Sequence, residues 1–479
     1  MAVLEHLEPQ RVFSFFEQLC AYPHGSGNTK ALSDYLAAFA KERGLEHYQD
    51  DLNNVIIIKE ASAGYEQAPA VILQGHMDMV CEKAPDCTKD MALEGLDLAV
   101  EGDTVFAKGT TLGGDDGIAV AMALAVLDDD SIAHPRVEAV FTVDEETGMY
   151  GAAGLDVSPL RGRMMLNMDS EAEGIFTVSC AGGNVTRCTL PIARAPFAGG
   201  ALLTISVGGL QGGHSGVEID KGRGNANMLL GRVLLAVQKA TVLRLVSVSG
   251  GLKDNAIPVS AAAVVAVADA DAAKAACARM EACFRTELRI TDPAVAISVS
   301  EEGQGLPMDE GSTAKALCML SCLPNGIQAM SADIPGLVQT SLNLGVLTTL
   351  DDAVTASFCI RSSVESQKEM LGDRLACMMR QLGGSLTVAG DYPGWEYLQD
   401  SPLRELMVQV FTEQYGHAPK IEAIHAGVEC GLLAGKLPGL DCVSFGPDLT
   451  EIHTFREKMH ISSVQRTWAL LLEVLKRIK

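Results

Sequence analysis

Short runs of apolar, mostly β-branched residues recur along this chain, and they stop at polar residues of a narrow chemical type. The segments NNVIIIKE and APAVILQG read as strands, the first ending near Lys59. The second lies in Val71–Val80 and runs straight into His76 and Asp78, two residues apart and so on one side of an extended segment. Val137–Val143 is another such run and ends in Asp144, Glu145 and Glu146; Met164–Met168 is a third and ends in Asp169. Helical spacing takes over elsewhere. Val12, Phe13, Phe16 and Leu19 fit a helix within residues 8–43, with a turn cluster at Pro23–Asn28 and a second helix from about Thr29 to Arg43. Lys108–Asp116 is a glycine-rich turn carrying two acids, and Gly117–Leu127 follows as a helix of small residues suited to close packing on a sheet. Asp116 is expected to cap that helix, which leaves Asp115 free.

After about Gly183 the pattern changes to alternating strands, glycine turns and amphipathic helices, and it keeps that character to about Gly390. His214 lies there in the glycine loop GGHSG, and Arg361 follows a strand in FCIRSSVES. The earlier pattern then returns: a helix at Ser401–Tyr415, a strand at Val443–Phe445, His453, and a closing helix at Ser462–Ile478. The expected architecture is therefore α/β, with a mixed sheet flanked by helices, made from residues 1–183 and 393–479. An α+β domain, 184–392, is inserted between the two pieces.

Composition narrows the class. The chain has 479 residues, 48% of them hydrophobic, enough for large cores. A formal charge of −24 argues against nucleic acid and anionic membranes as partners. The 13 cysteines include no C-x-x-C pair and are expected as reduced, packed thiols, with Cys318 and Cys322 read as core. No export signal is visible in MAVLEHLEPQ and no apolar run spans a bilayer, so a cytoplasmic location is expected.

Strand after strand thus delivers His or carboxylate to what, in an open α/β sheet, is the ligand-binding edge. Adjacent acids such as Asp144, Glu145 and Glu146 repel one another unless cations are present, although a solvated loop can carry such a run. Carboxylates with imidazole suit zinc, manganese or cobalt; a mononuclear iron oxygenase needs fewer carboxylates than are present.

The motifs GHMDMV, TLGGDDG, DEETGMYGA, NMDSEAEG, GGHSGVEI, GRGNAN, NAIP, IRSS, HAGVECG and HTFREKMHISS together resemble the di-zinc exopeptidases of the aminopeptidase and aminoacylase type. More narrowly they resemble the aminoacyl-histidine dipeptidases. The resemblance implies two Zn2+ per subunit, with Co2+ or Mn2+ as substitutes. His76, Asp115 and Asp169 would hold one ion and Asp115, Glu146 and His453 the other. It makes Glu145 the general base and gives Asp78 the orientation of His76. It also implies that His214 and Asn255 hold the scissile carbonyl oxygen, that Arg361 takes the substrate carboxylate, and that Glu429 meets the amino or imidazole end. The inserted domain would be a lid and the interface of a homodimer. One departure is Thr454-Phe455-Arg456, where the family pattern has a Ser-Pro type continuation. His460 and His425 compete with His453 for the last ligand position, and His453 is preferred. The implied activity is hydrolysis of small unblocked dipeptides, Xaa-His first. A related tripeptidase or N-acyl amino acid deacylase is the neighbouring alternative, and a non-catalytic peptide-binding protein the alternative of another class.

Overall fold

The structure is a computed structural model, and it describes residues 3–198 and 200–479. The chain divides into two compact units, one of residues 1–179, 397–423 and 428–479, the other of 180–396 and 424–427. The seams thus fall at 179/180 and 396/397, and a short return at 424–427 joins the second unit, which the hydrophobic pattern gave no sign of.

The first unit is built on an eight-stranded sheet. Across it the strands run Glu46–Gln49, Val55–Lys59, Val137–Thr142, Val71–His76, Met164–Asn167, Asp441–Ser444, Ile175–Cys180 and Lys420–Ile424. Its centre is parallel: Val71–His76 pairs in parallel with Val137–Thr142 on one side and with Met164–Asn167 on the other. Asp441–Ser444 continues in parallel beyond Met164–Asn167. Such strands are covered on both faces, which is why they read as continuous apolar runs rather than alternating ones; Val71–His76, Val137–Thr142 and Asp441–Ser444 are buried throughout. The register sets His76 opposite Thr142 and Gln74 opposite Asn167, so three strands end at nearly the same level.

Helix Gly114–Asp128 packs on this sheet and is buried from Gly114 to Leu127, consistent with its being apolar all round. Gly117 is what admits the ring of Phe16, since a Cβ there would stand 3.3 Å from it. The first residues of the helix are not helical in backbone: Asp115 has φ −84, ψ 104 and Asp116 φ −117, ψ 27. Asp116 makes no capping bond, so the expected N-cap is corrected here.

The second unit holds a nine-stranded sheet in which every described pairing is antiparallel. Helices Ala226–Ala240, Ala270–Glu287, Glu310–Cys322 and Glu365–Leu382 bring Leu230, Phe284, Leu317 and Leu375 to one core with Leu203, Val265 and Phe358 of the sheet. This is the α+β character expected of the insertion. All 13 cysteines are free, but Cys322 is exposed and Cys318 only part-buried, so the expected core placement of that pair is wrong. Among the described residues no helix is long and apolar enough to cross a membrane.

Candidate metal centre

The parallel strands of the first unit deliver the site. His76 ends Val71–His76; Asp144, Glu145 and Glu146 follow Val137–Thr142 after one residue; Asp169 follows Met164–Asn167 after one residue. His76 Nδ1 lies 2.9 Å from the main-chain oxygen of Asp78 and 3.5 Å from its Oδ1. The ring N–H is therefore taken first by the carbonyl, with the carboxylate behind it. The Asp78 carboxylate also accepts from Ser26 Oγ at 2.8 Å and from the Glu145 N–H at 3.2 Å, tying the His76 strand to the acidic loop.

Nε2 of His76 faces Asp115 Oδ1 at 3.1 Å and Asp169 Oδ1 at 3.6 Å. Two acceptors at that range repel unless a proton or a cation lies between them. Asp115 offers its other oxygen, Oδ2, to Nε2 of His453 at 3.1 Å, and Glu146 Oε1 is 3.0 Å from the same nitrogen. Glu146 Oε1 is buried, yet it makes no well-formed hydrogen bond. One carboxylate thus stands between two imidazoles, with an acid on the far side of each. The ligand-capable atoms form three overlapping groups within 4.8 Å: His76, Asp116 and Asp169; His76, Glu145 and Glu146; Asp115, Glu146 and His453. A buried imidazole at His76 and an exposed one at His453, both facing carboxylate oxygens, are a donor set that fits divalent cations.

The electrostatics of the bare cluster agree. Burial first, then the charge of Asp169, pushes Glu145 up to about 9. Burial also pushes Asp169 up to about 7, with Asp115 adding to it and His76 opposing. Burial opposes a charged His76, but Asp115, Asp169 and Asp78 outweigh it and hold the ring well above the usual histidine range. The Asp115 carboxylate, and then that of Glu146 beside it, raise His453 to about 10. So many acids hold their charge together only when positive charge is supplied. Two of the residues have left-handed backbone without being glycine, Asp144 at φ 56 and His453 at φ 59, an uncommon state that concentrates at functional sites.

Some expected residues take other places. Asp116 accepts the His76 N–H at 3.2 Å and belongs to the His76 group. Glu429 is fully buried; its Oε2 accepts from Gln74 Nε2 and Thr142 Oγ1, both at 2.6 Å, and burial pushes it up to about 7. Through Oε2 it braces two strand ends, while its buried Oε1 has no hydrogen-bond partner among the described residues. His460 starts helix Ile461–Arg477 and is outside the three groups, and His425 belongs to the second unit. Gln74, Thr142 and Glu457 carried no sequence signal, because a polar residue inside an apolar strand or a glutamate in a charged loop looks ordinary until its neighbours are known.

In the second unit, strand Gly213–His214 pairs with Ala256–Ile257, and Ser215 N–H donates to the Asn255 carbonyl at 2.9 Å. His214 and Asn255 line one cavity of about 930 Å3 with Leu252 and Val259. Arg361 donates from Nη1 to the Tyr392 hydroxyl at 3.1 Å, while its buried Nε has no partner. His425 Nε2 lies 2.7 Å from Ser341 Oγ, and its buried Nδ1 is unpartnered. Burial, then the charges of Arg361 and His214, lowers His425 to about 3.

The sequence profile described as peptidase family M20/M25/M40 matches residues 72–477. This chain belongs to that family. Within the M20 peptidases it is 37% identical, over 100% of its own length and 99% of the relative's, to the cytosol non-specific dipeptidase of Escherichia coli. It is also similar to the crystal structure of the aminoacylhistidine dipeptidase of Vibrio alginolyticus, with a TM-score of 0.93 and 37% identity over 99% of this chain and 98% of that one. The aminopeptidase PepT of Bacillus cereus, at a TM-score of 0.55 and 16% identity over 98% and 99% of the two chains, shares the fold. The expected resemblance to M20-type dipeptidases is therefore borne out, and with it the α/β fold.

Proposed function

We propose that this M20 peptidase is a cytosolic dipeptidase that hydrolyses small unblocked dipeptides, with Xaa-His among its substrates. The observation that carries the reading is the Asp115 carboxylate standing 3.1 Å from both His76 and His453, with Glu145 grouped with His76 and Glu146. The names of the two relatives at 37% identity, a non-specific dipeptidase and an aminoacylhistidine dipeptidase, support the substrate class and leave Xaa-His as one preference within it.

In this reading His76, Asp115 and Asp169 would hold one Zn2+, with Asp116 accepting the His76 N–H, and Asp115, Glu146 and His453 would hold the other; Co2+ or Mn2+ would serve in the same donors. When bound, such ions supply Lewis acidity, which lowers the pKa of an attacking water and polarises the peptide carbonyl. Glu145 is the general base. It takes the proton from the attacking water and hands it to the leaving amine, so that one carboxyl group serves both halves of the reaction. Asp78 keeps His76 in one tautomer and fixes the Glu145 main chain through its hydrogen bond at 3.2 Å. Arg361 takes the substrate carboxylate, and its unpartnered Nε supports that role. His214 and Asn255 hold the carbonyl oxygen as charge develops on it. The second unit is proposed as lid and homodimer interface.

The test is hydrolysis of β-Ala-His and a panel of Xaa-His, Xaa-Ala, tripeptide and N-acyl amino acid substrates, with added Zn2+, after chelation, and for Glu145→Gln. Dipeptide cleavage that chelation abolishes is expected, falling by about 10²–10⁴-fold in Glu145→Gln with metal content unchanged. Cleavage confined to tripeptides or acylated amino acids moves the substrate assignment. Absence of hydrolysis by metal-loaded protein makes this a peptide-binding protein.

A further inference from the structure

Glu457 is 97% buried and has no part in the chemistry described above, yet it makes the densest set of backbone contacts near the site (its relative exposure is 3%). Its Oε2 accepts from the N–H of Leu112 at 2.8 Å and of Gly113 at 3.1 Å; its Oε1 accepts from Gly114 at 2.8 Å and, more weakly, from Asp115 at 3.4 Å. Successive N–H groups converging on one anion form a nest. Gly113 permits it with φ +66, and a Cβ on Gly114 would come within 3.2 Å of Glu457 Oε1. The turn so gripped ends in Asp115, the carboxylate shared by two imidazoles. The segment that supplies the grip also supplies His453, and Glu457 N–H closes a turn onto the Thr454 carbonyl at 3.1 Å. Beyond it, strand Lys458–His460 is pinned to Thr104–Ala107, with Met459 opposite Val105. A buried anion placed beside an acidic cluster is a costly way to secure a loop, and both burial and Asp115 push against its charge.

We propose that Glu457 is a positioning residue for the metal pair: it locks the Asp115 turn to the His453 loop, so that the two oxygens of Asp115 face His76 and His453 at a fixed spacing. The inference rests on the two-metal reading above. Through this grip the loop after His453 holds its place without the Ser-Pro continuation of the family pattern.

The test is a Co2+ titration of metal-free protein, followed by visible absorption and by metal content after dialysis, on wild type, Glu457→Gln, Glu457→Asp and Glu138→Gln. Glu138 is the control. It is fully buried in the same unit and accepts the N–H groups of Arg161 and Gly162, but it touches no group of the metal cluster. Wild type is expected to bind two Co2+. Glu457→Gln, which sets an amide N–H2 against backbone N–H donors, is expected to weaken at least one of them about 10–100-fold with an altered cobalt spectrum; Glu138→Gln is expected to lower the melting temperature and leave both affinities alone. Glu457→Asp keeps the charge, shortens the reach and is expected to show the same kind of loss in metal binding. Wild-type affinities and spectrum in folded Glu457 variants overturn the proposal, as does failure of both variants to fold while Glu138→Gln folds. Fewer than two Co2+ in wild type overturns the two-metal reading instead, and this proposal with it.

Discussion

At the scale of single residues, the second unit keeps a histidine that protonation would damage. His425 is buried, feels the charges of Arg361 and His214, and is held down to about 3, against an ordinary value of 6.5. Between those values the unfolded chain binds the proton and the folded chain does not. The stability from this group is therefore complete above about 6.5 and is lost as pH falls toward 3. Replacing His425 with Gln is expected to flatten the fall in unfolding free energy between pH 6.5 and 4.5, by about 1.4 kcal/mol per pH unit. Urea unfolding of the two proteins across that window checks it, and parallel slopes would mean the ring is solvated. His76, Glu145 and Asp169 were legible without coordinates because polar side chains clustered just after a buried apolar run demand a reason, whereas His453, well beyond Val443–Phe445, was singled out by the resemblance. The shares of Asp115 and Asp116 were not legible, since both occupy one glycine turn and only backbone geometry separates them. The surroundings of Glu429 were not legible either: nothing in HAGVECG announces two hydrogen bonds to strand residues.

At the scale of elements, the decisive contact is that of helix Gly114–Asp128 with strand Val71–His76. Gly75 stands where a Cβ would lie 2.5 Å from Asp116 Oδ2 and 2.7 Å from the Ala119 Cβ. Gly75→Ala is expected to destabilise the metal-free protein by about 1–3 kcal/mol, as overpacking does. It is also expected to weaken cation binding, because the displaced Asp116 is the acceptor of the His76 N–H. Denaturant midpoints and metal content after dialysis measure the two effects; an unchanged midpoint would show that the helix can give way. Strands were readable here from unbroken β-branched runs, but their order was not. Nothing in VILQGH or MMLN says that Val71–His76 lies between Val137–Thr142 and Met164–Asn167, since pairing partners are chosen by the whole sheet.

At the scale of the molecule, two kinds of negative charge coexist: a surface excess behind the formal −24 and a buried acidic cluster. Salt distinguishes them. Chelation is expected to lower the melting temperature, and restored cations at about 100 times Kd to return about 2.7 kcal/mol per site. Roughly 0.5 M NaCl is expected to relieve the surface repulsion but to leave the chelation deficit in place, because buried pairs are poorly screened. Calorimetry with and without chelator at both salt levels reads the difference, and a deficit erased by salt would place the repulsion at the surface. The interruption of one pattern by another was visible along the chain, from the return of strand-then-ligand residues near His453. The return at 424–427 was not, because four residues carry no periodicity of their own.

The parallel strands that carry His76, Glu145 and Asp169 are all synthesised before the long segment 180–396, whereas Asp441–Ser444, His453 and Glu457 come after it. A nascent chain emerging from the ribosome therefore exposes His76, Asp115, Glu146 and Asp169 without His453 for the whole time the second unit is being made. In the proposed reading the set of His76, Asp115 and Asp169 is complete early, whereas that of Asp115, Glu146 and His453 closes only once the far piece arrives, so a chain cut short within the interruption carries the acids without the ring of His453.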